Sequence, residues 1–131
     1  MDYMMKDVTK QLNMTVHTVR HYCDTGLVPN LKCDKHGNRI FDEESINWLM
    51  CARFLRNSGM AIADIKHYFD LCLEGEKTFD ERYQILKELE RKTKKELEDA
   101  EKRYACIEEK LKHCEEIKAG KCKDDCNPLN W

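Results

Sequence analysis

Apolar residues recur along this chain at the three- and four-residue spacing of amphipathic helices, with one short polar interruption. Met4 or Met5, Val8 and Leu12 fall on one face of a first helix over 4–12. Asn13-Met14 breaks that pattern, and Thr15 is suited to cap a second helix. There Val16, Val19 and Cys23, at i, i+3 and i+7, predict the inward stripe. Gly26 stops the helix and Pro29 prevents its continuation. Residues 30–41 hold Asp34-Lys35-His36-Gly37-Asn38, which predicts a turn between two short strands. Asp42 can cap a third helix, with Glu43 and Glu44 near its positive end. Its apolar residues Ile46, Trp48, Leu49, Cys51, Phe54 and Leu55 lie on more than one side, so it should pack between neighbours. Ser58-Gly59 ends it, and Ile62, Ile65, Phe69 and Leu73 mark a fourth helix.

Beyond Glu74-Gly75-Glu76 the pattern changes to a heptad seam: Tyr83, Leu86, Thr93, Leu97, Ala100, Tyr104, Ile107, Leu111 and Cys114, with Glu90 as the charged exception. No glycine or proline lies between Phe79 and Ala119 to fold this stretch into a hairpin. One long helix cannot bury its stripe against itself, so the pattern predicts a second copy. Gly120 ends the helix. The expected organisation is a small helical domain over 1–74, a dimerisation helix over 75–119 and a cysteine-containing tail over 120–131.

Composition narrows the classes. Among 131 residues 37% are charged, and mean hydropathy is −0.77, yet the helical periodicity argues against general disorder. No run is long and apolar enough to span a membrane and no signal peptide is visible, so a cytoplasmic protein is expected. Eight cysteines without a secretory context are expected to be reduced. Net charge is −2, and residues 1–70 carry nine Lys+Arg against nine Asp+Glu. A nucleic-acid surface would therefore rest on local placement of cations, doubled in a dimer. No Gly-rich phosphate loop or nucleophile elbow is present, which excludes the commonest enzyme classes.

Local placement is what the second helix offers. Thr15, His17, Thr18 and His21 point away from the expected apolar stripe, with Arg20 and Tyr22 on the flanks. A helix lying in the major groove needs hydrogen-bonding groups toward base edges, and cations or hydroxyls toward phosphates. Lys32 and Arg39 on the strand pair and Arg56 late in the third helix are further cationic candidates. The fold class predicted is mainly α: a winged helix-turn-helix of four helices and a small β-hairpin, followed by a long dimerisation helix.

Taken together these motifs resemble the MerR family of transcription regulators, over essentially the whole chain. Thr18, Arg20, Tyr22, Gly26 and Leu27 match the family's T-x-R-x-Y-x-x-x-G-L stretch. Gly37, Arg39 and Phe41 match its G-x-R-x-aromatic wing, where tyrosine is usual, and Leu55-Arg56-Asn57-Ser58-Gly59-Met60 matches its late third-helix pattern. Cys23 stands where an acid is frequent, and His21 where an aromatic is common. The resemblance implies a homodimer with an antiparallel coiled coil, binding double-stranded promoter DNA at a palindrome. It also implies an effector that lets the dimer bend and untwist the promoter spacer so that RNA polymerase engages.

Cys114 and Cys122 are separated by seven residues across the helix end, and Cys126 follows. That arrangement resembles the metal loop of the family's soft-metal sensors, and thiolates there would suit Zn(II) or Cu(I). Where such sensors place a further cysteine or serine at the start of the dimer helix, this chain has Phe79. Lys121 and Lys123 beside Cys122 equally suit a thiol that responds to oxidants or electrophiles. Cys23 and Cys51 are expected in apolar surroundings, and Cys33 exposed in the ribbon. Outside this family, the alternative is a zinc-stabilised coiled-coil adaptor without a transcriptional role.

Overall fold

The computed structural model describes residues 1–127; residues 128–131 of the expected tail lie outside them. Local capping chemistry sets the first elements. Helix α1 runs Met5–Leu12, with the Asp7 carboxylate accepting from the Met4 backbone N–H at 2.9 Å. Asn13 then takes the left-handed conformation (φ 52°) and turns the chain. Thr15 caps α2 (Val16–Asp24): its hydroxyl accepts from the Thr18 N–H at 3.1 Å. At the other end, Leu27 N–H reaches the Tyr22 carbonyl and Gly26 N–H the Cys23 carbonyl, a Schellman closure. Gly26 sits at φ 81°, a backbone an L side chain resists, and a Cβ there would meet Lys66 at 2.9 Å.

The wing is a two-stranded antiparallel ribbon, β1 (Lys32–Cys33) and β2 (Arg39–Ile40), with Cys33 opposite Arg39. Asp34 organises its turn, its carboxylate accepting from the His36 and Asn38 N–H groups at 2.8 and 2.9 Å. Those bonds favour the ionised form, led by that from Asn38, and hold the Asp34 carboxyl below its usual range. The turn lies where the sequence predicts it. Tyr3 and Phe41 exchange backbone hydrogen bonds of 2.7 and 2.8 Å, fastening the start of the chain to the wing base, a pairing no local sequence pattern predicts.

Asp42 caps α3 (Glu43–Asn57), accepting from the Ser45 N–H at 2.8 Å. A second Schellman closure at Gly59 leads into α4 (Ile62–Glu74). A 3-10 turn, Glu76–Thr78, joins it to α5 (Phe79–Lys118), 40 residues long. The buried Thr78 hydroxyl donates to the Leu71 carbonyl at 2.6 Å and accepts from Arg82 Nε at 3.1 Å, locking this junction.

The core joins α1 to α4: Val8, Leu12, Val19, Tyr22, Leu27, Phe41, Ile46, Leu49, Ala52, Leu55, Ile65 and Phe69. Trp48 packs edge-on against Phe69, with ring centroids 4.7 Å apart. Arg53, on α3, donates to the Leu12 carbonyl and thereby secures the end of α1.

Two stripe assignments change. In α2 the inward residues are Val19 and Tyr22; Cys23 is only half-buried and Val16 is exposed. At 100° per residue, a face centred between Val19 and Tyr22 leaves Val16 about a quarter turn away. In α4, Leu71 is buried where the spacing favoured Leu73, which is exposed.

The chain resolves into two compact units, Met1–Leu89 and Glu90–Trp131. The first includes the start of α5, where Ile85 and Leu89, one turn apart, pack against its core. In the second, Leu97, Tyr104, Ile107 and Leu111 are each more than half exposed. No helix of the described residues is long and apolar enough to cross a membrane.

Candidate nucleic-acid interface

Fixing α2 at both ends, by the Thr15 cap and the Gly26 closure, determines which side chains it turns outward. His17, Arg20 and His21 are exposed, and Thr18 is half-buried. The Thr15 and Thr18 hydroxyls lie 2.8 Å apart at the first turn, so both help to build the cap they flank. Tyr22 does not join this face. Its ring is 5% exposed and belongs to the core, because the inward direction of α2 passes between positions 19 and 22. Its ring therefore packs inward, and a phosphate contact at this position would fall to the hydroxyl.

Beside this helix lies a cleft of about 620 Å³, walled by Met4, Met5, Lys6, Arg20, Asp24 and the wing residues Gly37, Asn38 and Arg39. Three cations, Lys6, Arg20 and Arg39, meet there against one carboxylate, Asp24. Arg39 is ion-paired to Asp24, so the wing is held to the end of α2 before any ligand arrives. The pair is partly exposed and contributes little as an isolated surface bridge; its consequence is geometric. A phosphate reaching the cleft would compete with Asp24 for the guanidinium. Lys6 carried no motif; only the approach of α1 to the wing, through the Tyr3–Phe41 pairing, identifies it.

The other cations are more dispersed. Lys32 is exposed on β1. Arg56 is exposed at the end of α3, where its guanidinium reaches the Met60 carbonyl at 3.4 Å. Phe41 is fully buried at the base of the wing.

The cysteines divide by environment. Burial pushes the Cys23 thiol up to about 11, opposed by Arg39 and reinforced by Asp24. Burial also raises Cys51, with Cys72 adding to the effect. Cys126 is exposed, and the neighbouring Asp124 charge raises its thiol. Of the three cysteines at the helix end, Cys114 and Cys122 are half-buried. Cys122 lies in a group with His113 and Glu116 whose donor atoms are all within 4.8 Å of one another; Cys114 and Cys126 are outside that group.

Residues 3–72 match the MerR HTH family of regulatory proteins. The chain belongs to the MerR family. An HTH-type transcriptional regulator of Haemophilus influenzae is 28% identical over 119 residues, covering 91% of this chain and 88% of that one. The regulator AdhR of Bacillus subtilis is 38% identical over 79 residues, 60% of this chain and 56% of its own. The crystal structure of HiNmlR, a MerR regulator lacking the sensor domain and bound to promoter DNA, superposes with a TM-score of 0.80. It is 28% identical and the match covers 91% of this chain and 94% of that one. A MerR-family regulator from Bacillus thuringiensis follows at TM-score 0.77 and 33% identity, covering 86% and 99%. These relatives are transcription regulators, not enzymes, and none supports the adaptor alternative.

Proposed function

We propose that this MerR-family chain is an effector-responsive regulator that binds double-stranded promoter DNA as a homodimer and controls transcription by distorting the promoter spacer. The observation that carries this reading is the exposed face of α2 beside the cationic cleft. His17 and His21 are placed to meet base edges, with Thr15 and Thr18 at the helix start. Arg20, Lys6 and Arg39 converge on the backbone, and Lys32 and Arg56 extend the phosphate track. Relatives add support, since HiNmlR is bound to promoter DNA.

Pairing follows from α5. Its exposed apolar residues match the predicted seam at Tyr83, Leu86, Leu97, Tyr104, Ile107 and Leu111, while the charged positions cover the remainder. Two copies joined along this seam would present two α2 helices to a palindromic site, and spacer distortion would supply specificity at bases the protein never touches. RNA polymerase is then the downstream partner, and the cytoplasm the place of action. In this reading the signal is received at the cysteine-bearing end of α5, near Cys114, Cys122 and Cys126, as a thiol or metal event.

Selection of bound duplexes from a random DNA pool tests the proposal. Enriched sequences should carry inverted repeats and bind two chains, and Arg20→Ala with Arg39→Ala should abolish the enrichment. Failure of the full-length protein to enrich any duplex would overturn it.

A further inference from the structure

The end of α5 is shaped by one glycine. Gly120 sits at φ 77°, and behind it Lys121 N–H reaches the Glu116 carbonyl while Gly120 N–H reaches that of Ile117, both at 3.0 Å. This Schellman closure turns the chain back along the helix rather than away from it. His113 and Glu116, three residues apart, share one face of the last turns. The reversal returns Cys122 to that face. All three side chains are half-buried, and their donor atoms lie within 4.8 Å of one another.

We infer that His113, Glu116 and Cys122 form a binding site for a borderline divalent cation of the Zn(II) and Co(II) class. One imidazole, one carboxylate and one thiolate are a mixed N, O, S donor set. Zn(II) takes these donors at about 2.0–2.3 Å, which places tetrahedral donors roughly 3.3–3.8 Å apart. Small side-chain adjustments close the existing group to that geometry. With three protein donors the fourth position is left for water, which makes the site open and exchangeable. The set differs from the two-cysteine loop that the family resemblance implies, because Cys114 and Cys126 lie outside the group. A single thiolate with harder O and N donors disfavours Cu(I), which prefers sulfur-only surroundings. On binding, the Cys122 thiol loses its proton to solvent, and the cation ties the turn after Gly120 to the helix. The site does not depend on DNA recognition, and metal uptake is measured without DNA.

Cobalt titration of the reduced, full-length protein tests this. One Co(II) per chain should give visible bands of a four-coordinate ion and a thiolate-to-cobalt charge-transfer band, both bleached by Zn(II). Cys122→Ser should remove the charge-transfer band. His113→Gln and Glu116→Gln should each weaken Co(II) binding at least about tenfold. Gly120→Ala, which alters no donor, should weaken it too by disfavouring the reversal. Cys114→Ser and Cys126→Ser should leave spectrum and affinity unchanged, and far-ultraviolet circular dichroism should show each variant retaining its helix. Loss of binding in Cys114→Ser with none in His113→Gln would overturn the site, as would wild-type protein that takes up no cobalt.

Discussion

The two compact units solve the burial of apolar surface in opposite ways. In Met1–Leu89, side chains from four helices and the wing base meet in one core, and Phe41, Leu49 and Ile65 are fully buried. In the unit beginning at Glu90, Leu97, Tyr104, Ile107 and Leu111 stay more than half exposed along one helix. The first unit satisfies its own sequence, whereas the second carries a pattern that only another surface can satisfy. The proposed function draws on both: a module whose core is complete in itself, and a helix whose exposed stripe is the proposed pairing surface.

The contrast breaks most visibly in the core. Phe69→Ala removes a ring packed against Trp48 and should destabilise the first unit by about 3–5 kcal/mol. Chemical denaturation should show that loss independently of protein concentration. A seam substitution should behave differently. Ile107→Ser removes one apolar contact from each copy, worth roughly 3 kcal/mol per dimer, so dimer dissociation should strengthen about a hundredfold. Near-native stability of the first unit should accompany it. An Ile107→Ser protein that still pairs with wild-type affinity would erase the distinction between the two units.

These two regions also differ in what the sequence alone reveals. Thr15, Gly26, the Asp34–Asn38 turn and Asp42 were legible because each acts through hydrogen bonds within a few residues. The Tyr3–Phe41 pairing, the Arg53 bond to Leu12 and the Thr78 bond to Leu71 were not, since the side chain or strand involved has no local partner pattern. Tyr22 reads as a flank position because Cys23, also apolar, offers an equally regular stripe; only the approach of α1 and α3 decides which side turns in. At the helix end, cysteine spacing drew attention to Cys114, Cys122 and Cys126. What spacing does not encode is that the Gly120 reversal returns Cys122 toward His113 and Glu116.

A smaller effect sharpens the reading of the first unit. Arg20→Ala should lower affinity for selected duplex DNA roughly tenfold to a hundredfold, and flatten its salt dependence by about two, one phosphate contact per copy. Fluorescence anisotropy across a salt series measures both. Loss of affinity without a change in salt slope would reassign Arg20 to base reading. The smallest effect concerns Cys23, whose thiol burial pushes up to about 11 from 9.0. Its thiolate fraction near pH 8 should be roughly a hundredfold below that of an ordinary cysteine, with alkylation slowed in proportion. Peptide mass spectrometry after iodoacetamide treatment should find it among the last thiols labelled, and its rate should climb until the pH approaches 11.

Sedimentation equilibrium of the full chain, from nanomolar to micromolar concentration, addresses the central claim most directly. The account predicts a species of twice 15.6 kDa at micromolar concentration that Ile107→Ser shifts toward the single chain. A mass of 15.6 kDa for the wild-type protein throughout that range would contradict it.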